Sequence, residues 1–234
     1  MPVDVHSHVL PGIDDGSRNP EESLQLLAEE AKQGITHVIA TPHFYARHTD
    51  PDTFLAKRSA AAAALRQAMA GRADLPKVLL GAEVHYFPGI GESEHLSKFA
   101  IEGTRLVLIE MPPAPWTDTM YAELEKIYML QGLTPVIAHV DRYIRPLHTH
   151  GIPKRLEQLP VLVQANGEFF LEKATAGMAL RMLRKGQIHL LGSDCHNLTD
   201  RAPNLQSAHG LITRKLGKRA MDEIGRYEQI LIGE

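Results

Sequence analysis

The chain has 234 residues, of which 44% are hydrophobic and 23% are charged, and its formal net charge is −3. This composition suits one sizeable core, and the absence of a Lys/Arg block argues against a nucleic-acid partner. The single cysteine excludes an internal disulfide and fits a reducing compartment. The first ten residues, MPVDVHSHVL, lack the features of a signal peptide, and the alanine run at 60–64 is too short to span a bilayer. We therefore expect a cytoplasmic protein that does not insert into a membrane.

Short apolar or β-branched runs recur along the whole chain and predict seven strands. These are Val3–Val5, His37–Ala40, Lys77–Leu80, Arg105–Ile109, Pro135–Ala138, Val161–Gln164 and Ile188–Leu191. Alternation of such strands with helices is typical of a parallel sheet with right-handed crossovers. Seven strands predict an α/β barrel one strand short of the common eight. No linker rich in Pro, Gly or Ser interrupts the pattern, so we expect a single domain over residues 1–234.

Helical patterns fill most of the gaps between these strands. The first helix is the best delimited, because Asn19 can cap it, Pro20 suits its first position and Gly34 can end it. The other predicted helices lie at about Thr53–Ala70, Thr117–Gln131, Glu168–Arg184 and Pro203–Tyr227.

Six of the seven predicted strands are followed directly by a histidine or an acidic residue. In chain order these are His6 and His8, His43, Glu83, Glu110, His139, and finally Asp194 with His196. In barrels of this class the functional groups meet at the carboxyl ends of the strands. We therefore expect these side chains to form one site.

The ligand types in this set indicate metal ions. His6 and His8 are two residues apart and share a strand face, and Asp194 and His196 repeat that spacing. Histidine nitrogens mixed with carboxylate oxygens suit Mn, Fe or Zn better than a cysteine-rich structural site. The ligands outnumber the roughly four that one ion takes, so two or three ions are expected, with a carboxylate such as Glu83 as a bridge. Paired ions activate water for attack and clamp the oxygens of a phosphoryl group.

The stretch GSDCHNLTDRAP, from Gly192 to Pro203, also fits a second chemistry. Cys195 and Arg201 have the C-x5-R spacing of cysteine-based phosphatases. The five intervening residues, HNLTD, contain no glycine for a phosphate-binding loop, and Asp200 would repel the anion. In an extended segment Cys195 points away from the face that Asp194 and His196 share. We therefore predict that Cys195 is a small buried filler and that the metal interpretation is the right one.

Several motifs occur in the order found in a known superfamily. They are the D-x-H-x-H opening (Asp4, His6, His8), TPHF (Thr41–Phe44), GAE (Gly81–Glu83), AHV (Ala138–Val140) and SDCH (Ser193–His196). With them the chain resembles the polymerase-and-histidinol-phosphatase (PHP) superfamily. LPGIDDGS (Leu10–Ser17), GAEVHY, the His139–Arg142 pair and DCHNLTDRAP are similar to the bacterial manganese-dependent tyrosine phosphatases associated with capsule and exopolysaccharide synthesis. The resemblance covers nearly the whole chain.

This resemblance implies a distorted seven-stranded (β/α)7 barrel of the PHP type with a trinuclear site. It implies a metal-dependent protein-tyrosine phosphatase whose partner is the tyrosine-rich tail of a bacterial autokinase. Manganese is the expected metal, with Fe, Zn or Co as alternatives. Carried over by motif, the first ion takes His6, His8, Glu83 and Asp194, the second Glu83, Glu110 and His139, and the third Asp15, His43 and His196. The resemblance alone selects Asp15 over Asp14.

Arg142 and Arg201 are the expected partners of the phosphate, because the guanidinium fork matches phosphoryl oxygens. Arg142 ends the run HVDR, where the family often reads HPER, so the loop after the fifth strand departs from the family pattern. Phenolate, with a pKa near ~10, leaves without a dedicated general acid. The hypothesis is in-line attack by metal-bound hydroxide with no covalent phosphoenzyme.

Three other functions compete with this hypothesis. A histidinol-phosphate phosphatase shares the fold and the metals, but its first loop often carries a further histidine where this chain has Asp14 and Asp15. A metal-dependent exonuclease is disfavoured by the acidic net charge and the lack of a basic groove. A non-catalytic metal-bound regulator that binds phosphotyrosine is disfavoured by the full ligand set.

Overall fold

A computed structural model of the chain describes residues 2–144 and 151–233, and within them nine strands form parallel sheets. One sheet has the order β1-β2-β4 and the other the order β3-β5-β6-β7-β8-β9, so the fold is α/β with a six-stranded parallel sheet. The strands are β1 (Val3–Ser7), β2 (His37–Ala40), β3 (His43–Phe44), β4 (Lys77–Leu80), β5 (Glu83–His85), β6 (Leu106–Glu110), β7 (Thr134–Ile137), β8 (Leu162–Asn166) and β9 (Leu190–Gly192).

The predicted number of seven strands is therefore not reproduced in the described part of the chain. The second predicted strand is followed after two residues by the short strand β3, and the third is followed in the same way by β5. Pro42 lies in the first of these breaks, and proline has no N–H to donate to a neighbouring strand. Bonds from Gly81 N to the Ala40 carbonyl (2.8 Å) and from Glu83 N to the Pro42 carbonyl (3.0 Å) keep the two interrupted segments side by side.

The first strand and the last strand of the chain also lie next to each other. Ser7, at the end of β1, forms an isolated parallel bridge with Cys195, which follows β9. Asp194 N donates to the His6 carbonyl at 2.8 Å, and His8 N donates to the Cys195 carbonyl at 2.9 Å. These bonds bring the first and last groups of predicted ligands next to each other.

The described ranges contain nine α-helices, of which the sequence predicts the first three to within two residues at each end and does not predict the short fourth and fifth. They are α1 (Pro20–Lys32), α2 (Pro51–Ala68), α3 (Asp118–Gln131), α4 (Asp141–Ile144), α5 (Ile152–Leu156), α6 (Gly167–Leu171), α7 (Ala176–Arg184), α8 (Leu205–Leu216) and α9 (Lys218–Ile232). The start of α1 is confirmed, since Asn19 Oδ1 accepts from Glu22 N at 3.0 Å. Gly34, just past its end, has a φ of 80° that other residues rarely adopt.

Two predicted helices are each divided in two. The helix expected over Glu168–Arg184 stops at Leu171, because Glu172 has an extended backbone, and it resumes at Ala176. The helix expected over Pro203–Tyr227 is broken by Gly217, whose φ of 83° and ψ of 172° lie outside the helical region. None of the helices in the described ranges is long and apolar enough to cross a membrane.

Most strands are buried on both faces, as in other parallel sheets, whereas β4 is partly exposed. Along β6 the side chains alternate, so that Leu106 and Leu108 belong to one apolar cluster and Val107 and Ile109 to another. The larger cluster includes the buried faces of the helices, for example Leu26 and Leu27 of α1. The carboxyl ends of the strands are therefore held rigidly from both sides.

Candidate metal centre

All nine predicted metal ligands lie close together at the carboxyl ends of the strands. Ligand atoms within 4.8 Å of one another form four overlapping groups. The groups are His6–His8–Asp194, His6–Glu83–His139, His43–Glu83–Glu110 and His8–Asp15–His43–His196. Two of these residues, His139 (φ 29°) and Asp194 (φ 55°), have positive φ values, which cost energy in residues other than glycine and often occur at functional sites.

Glu83 is the residue on which most of the histidines converge. Its Oε2 lies 3.2 Å from His6 Nε2, 3.4 Å from His8 Nε2 and 2.9 Å from His43 Nδ1. Its Oε1 lies 2.7 Å from His139 Nε2. Oε2 is fully buried and has no hydrogen-bond partner among the described residues, although three ring nitrogens surround it. A carboxylate in this position can bridge two metal ions.

Asp194 contacts the histidines and both predicted arginines. Its Oδ1 lies 3.4 Å from His8 Nε2 and 3.6 Å from His6 Nε2. Arg201 Nη2 donates to the same oxygen at 2.7 Å, and Arg142 Nη2 donates to the other oxygen. The arginines therefore lie against the ligand cluster rather than in solvent.

The adjacent acids Asp14 and Asp15 have different environments. Asp15 is 64% exposed, and its Oδ1 lies 3.3 Å from His196 Nε2 and 3.5 Å from His43 Nε2. Asp14 is nearly buried, and its Oδ2 accepts a hydrogen bond from His8 Nδ1 at 2.8 Å. Asp15 thus belongs to a candidate ligand group, whereas Asp14 orients a histidine from behind. Sequence reasoning missed this second role, although it had singled out the motif LPGIDDGS.

Two amides from β8 support the site, and sequence reasoning missed them because that strand ends without a charged ligand. Gln164 Oε1 lies 3.3 Å from His6 Nδ1 and accepts from the His139 backbone N–H at 2.6 Å. Gln164 Nε2 donates to Asn166 Oδ1 at 2.9 Å, and Asn166 Nδ2 donates to Asp194 Oδ2 at 3.1 Å. The two amides therefore tie together ligands from β1 and from the segments that follow β7 and β9.

Glu110 lies farther from its nearest candidate ligand histidine than the other three candidate acids do. Its Oε1 is 3.8 Å from His139 Nε2, and its Oε2 accepts from His85 Nδ1 at 3.0 Å. His85 lies in the quoted motif GAEVHY, but the sequence alone gave it no role. Its contact orients the Glu110 carboxylate toward the cluster.

The pKa values of the buried groups reflect the pairing of carboxylates with imidazoles inside the cluster. Burial disfavours the charged form of Glu83, but the nearby His6 charge and the hydrogen bond from His139 hold the Glu83 pKa well below its usual range. Burial likewise opposes protonation of His8, yet its bonds to Asp14, Asp194 and Glu83 raise the His8 pKa well above its usual value. Carboxylates that favour a proton on a buried imidazole would equally favour a metal cation.

In His8 and His196 the contact made by Nδ1 orients Nε2 toward the ligand cluster. In His8 the Nδ1–H donates to Asp14, and Nε2 faces Glu83 and Asp194. In His196 the Nδ1 contacts the Asp194 carbonyl at 2.9 Å, and Nε2 has no hydrogen-bond partner among the described residues. Burial and the charges of His8 and Arg201 lower the His196 pKa to about 4, which keeps this ring neutral for metal binding. The donor set fits two or more divalent ions.

Cys195 lies on the other side of its segment, away from the ligands. Its side chain is buried, and Sγ faces Glu30 Oε1 at 3.8 Å. Burial and the nearby carboxyl groups of Glu30 and Asp4 raise the pKa of the thiol well above its usual value. A thiolate nucleophile is disfavoured by this environment, as the sequence predicts.

The fold and the site together define an α/β protein that gathers histidine and carboxylate ligands for metal ions at the carboxyl ends of parallel strands. Its sequence matches the family profile described as "Capsular polysaccharide synthesis, CpsB/CapC" over residues 2–230. The chain therefore belongs to the CpsB/CapC family.

Characterised relatives cover almost the whole chain. It is 30% identical over 232 residues to the tyrosine-protein phosphatase CpsB of Streptococcus pneumoniae, spanning 95% of this chain and 94% of the relative. It is 27% identical over 226 residues to the tyrosine-protein phosphatase YwqE of Bacillus subtilis, spanning 92% and 85%. A crystal structure from work on YwqE and CpsB, described as unique metal-dependent tyrosine phosphatases, superposes with a TM-score of 0.86 at 25% identity, covering 99% of this chain and 95% of that one.

Proposed function

We propose that this protein is a metal-dependent protein-tyrosine phosphatase. The observation that carries the proposal is the pair of arginines on Asp194, beside a cluster of nine histidine and carboxylate ligands. The cluster suits metal ions, and the arginines supply the bidentate donors that a phosphoryl group needs. The choice of phosphotyrosine rests on the names of the relatives, which are tyrosine-protein phosphatases.

We assign the ligands to three ions. The first is held by His6, His8, Glu83 and Asp194, the second by Glu83, Glu110 and His139, and the third by Asp15, His43 and His196. Short contacts within each set support this assignment, as does the central position of Glu83. Manganese is the proposed metal. When bound, the ions supply an activated water and positive charge next to the phosphoryl group.

The side chains of the protein perform the remaining tasks. Arg142 and Arg201 bind the phosphoryl oxygens and stabilise the charge that develops on them, because their forks already lie at the edge of the cluster. Asp194 accepts a hydrogen bond from each arginine and so fixes the positions of both guanidinium groups. Asp14, Gln164 and Asn166 hold the ligands, each through a hydrogen bond. The phenolate leaving group, with a pKa near ~10, needs no dedicated acid.

Three finer features belong to the same proposal. We regard the two sheets as one distorted barrel with seven strand positions in a single domain, which is supported by the Ser7–Cys195 bridge and by the bonds across the strand interruptions. The proposed substrate is the phosphorylated tyrosine-rich tail of a bacterial autokinase. The proposed compartment is the cytoplasm, which suits a chain whose one cysteine is a free, buried thiol.

The test is a hydrolysis panel with metal-reconstituted protein. Phosphotyrosine peptide, phosphoserine peptide, histidinol phosphate and an oligonucleotide are compared at equal concentration. We expect the phosphotyrosine peptide to have the highest kcat/KM. A higher kcat/KM for histidinol phosphate would instead indicate a histidinol-phosphate phosphatase. Binding of the phosphotyrosine peptide without turnover would indicate a non-catalytic regulator.

A further inference from the structure

The loop that follows β9 is organised around one side-chain oxygen. We call residues His196–Arg201 the Arg201 loop. Asn197 Oδ1 accepts from Thr199 N at 2.9 Å, from Thr199 Oγ1 at 3.0 Å, from Asp200 N at 2.9 Å and from Arg201 N at 3.2 Å. An amide oxygen has two lone pairs, and four donors of the loop converge on this one. The Asn197 side chain is therefore the centre of hydrogen bonding in the loop.

The backbone closes the same loop from the other direction. His196 N and Asn197 N both donate to the Arg201 carbonyl, at 2.9 and 3.3 Å. The N–H and the C=O of Arg201 are thus both engaged within the loop, one with the Asn197 side chain and one with the backbone of His196 and Asn197. The position of the Arg201 backbone is therefore fixed relative to His196, a proposed ligand.

From this fixed backbone the Arg201 side chain reaches two carboxylates of the ligand cluster. Its Nη2 donates to Asp194 Oδ1 at 2.7 Å, and its Nη1 lies 3.7 Å from Asp15 Oδ2. Arginine is among the side chains that lose most rotamer freedom on ordering, so a fixed backbone matters for its placement. Asn197, Thr199 and Asp200 are all exposed, but only the Asn197 side chain accepts hydrogen bonds from several positions of the loop, so Asn197 is the residue that organises it.

We propose that Asn197 is the positioning residue for Arg201, acting on substrate binding only through that arginine. The inference rests on the proposed function, in which Arg201 binds the phosphoryl group. In this scheme Asn197 acts within the loop, where its amide oxygen accepts all four hydrogen bonds, and it is assigned no contact with the substrate. Removing the oxygen frees three backbone N–H groups and one hydroxyl, and the loop no longer holds Arg201 against Asp194.

The experiment is a double-mutant cycle on the metal-loaded protein, with kcat and KM for a phosphotyrosine peptide and competitive inhibition by inorganic phosphate. Displacing a catalytic group by about 1 Å costs on the order of 10²-fold. We expect Asn197→Ala to lower kcat/KM by about 10- to 100-fold and to weaken phosphate inhibition. In an Arg201→Ala background the same change should have little further effect, because its target is gone.

Two further variants separate positioning from general damage. Asn197→Asp keeps an acceptor oxygen in place and should be closer to wild type than Asn197→Ala. Thr199→Val, the matched control, removes one donor and leaves the three backbone bonds, so it should be near wild type. Metal content should be unchanged throughout, and every variant should remain folded at the assay temperature.

Wild-type kinetics in Asn197→Ala would overturn the inference, as would an equal loss in both backgrounds or a loss of metal in Asn197→Ala. In each of these cases an active wild-type enzyme that Arg201→Ala impairs would leave the proposed function intact. A reconstituted wild-type protein that hydrolyses no phosphotyrosine peptide would remove both.

Discussion

Arg201 and Asp194 are joined by a hydrogen bond of 2.7 Å from Nη2 to Oδ1, seven residues apart in the chain. Oδ1 also lies 3.4 Å from His8 Nε2, so one carboxylate oxygen contacts an arginine and faces a histidine cluster. The charges of His6 and Arg142 and the hydrogen bond from His8 outweigh burial and hold the Asp194 pKa well below its usual range. Asp194 therefore favours its ionised form, and it connects the proposed metal ligands to the arginines proposed to bind phosphate.

The first prediction concerns those arginines. Arg142→Ala and Arg201→Ala should each lower phosphatase activity by one to a few powers of ten while metal content stays unchanged. Losing a charge-assisted bond that tightens in the transition state costs about 1.5–3 kcal/mol, and each ~1.36 kcal/mol is tenfold in rate. Steady-state kinetics with a phosphotyrosine peptide measures the loss. Arg219→Ala is the matched control, because that side chain is 93% exposed and lies on α9. Wild-type kinetics in either site variant would make that arginine a surface residue.

The second prediction concerns metal dependence. A strong chelator should abolish hydrolysis, and Mn or a similar divalent ion should restore it. Elemental analysis of the purified protein should find more than one transition-metal ion per chain. His196→Ala should lose metal and rate together, since its Nε2 lies in the group with Asp15, His43 and His8. Full activity in protein verified to be metal-free would contradict the proposed function.

Much of this site follows from two simple rules of strand geometry. His6 and His8 lie two residues apart, so the sequence predicts that both face the same way, and their Nε2 atoms are 3.3 Å apart. The rule that functional groups follow the strands predicted the other candidate ligands except Asp15, which came only from the resemblance to a known family. Both rules depend only on local order, which is why a single sequence was enough.

The features that were missed depend on contacts between distant segments. Asp14 reaches His8 only because the loop after β1 folds back on itself, and Gly16 allows this approach. A Cβ on Gly16 would lie 2.2 Å from the His8 carbonyl oxygen. Gln164 acts on His6, a residue 158 positions away, and no local pattern marks an uncharged amide as part of a metal site. The interruptions between β2 and β3 and between β4 and β5 depend on how neighbouring strands pair. The local sequence pattern does not determine that pairing.

The third prediction decides between the two interpretations of GSDCHNLTDRAP. Cys195→Ser and Cys195→Ala should retain most activity, and thiol alkylation should inhibit weakly, because Sγ is buried and faces Glu30. The measurement is kcat/KM with metal content determined on the same sample. A Cys195→Ser protein that is inactive but folded and fully metal-loaded would restore a thiolate mechanism.

The fourth prediction concerns stability and pH. Glu228 of α9 is buried, and burial together with the charge of Asp4 outweighs a backbone bond at Val3 and raises the Glu228 pKa from 4.5 to about 7. Because the folded-state pKa is the higher one, the stabilising effect of the neutral acid is complete below about pH 4.5 and is lost as the pH rises through 7. Relative to wild type, Glu228→Gln should gain up to about 3 kcal/mol between pH 4.5 and 8, since one pKa unit is 1.36 kcal/mol.

The measurement for Glu228 is denaturant unfolding of wild type and variant at each pH and at equal metal concentration. Comparing the two proteins at the same pH cancels the pH dependence of metal binding. Glu223→Gln, on an exposed part of the same helix, is the matched control. A difference between wild type and Glu228→Gln that does not change with pH would show that folding leaves the Glu228 pKa unshifted.

The fifth prediction separates the two adjacent acids of the first loop. Asp14→Ala removes the acceptor of the His8 Nδ1–H, and loss of such a hydrogen bond behind a ligating histidine typically costs 10- to 100-fold in metal affinity. Asp14→Asn keeps an acceptor oxygen and should lose less. Asp15→Ala should instead weaken binding of the one ion shared with His43 and His196, so the number of tightly bound ions should fall.

Competition with a chelator of known affinity gives the metal dissociation constants of the Asp14 and Asp15 variants, and elemental analysis gives the number of bound ions. Asp118→Ala is the control, because that side chain is 93% exposed. If Asp14→Ala removed an ion while Asp15→Ala left the full number bound, the two residues would have to exchange roles.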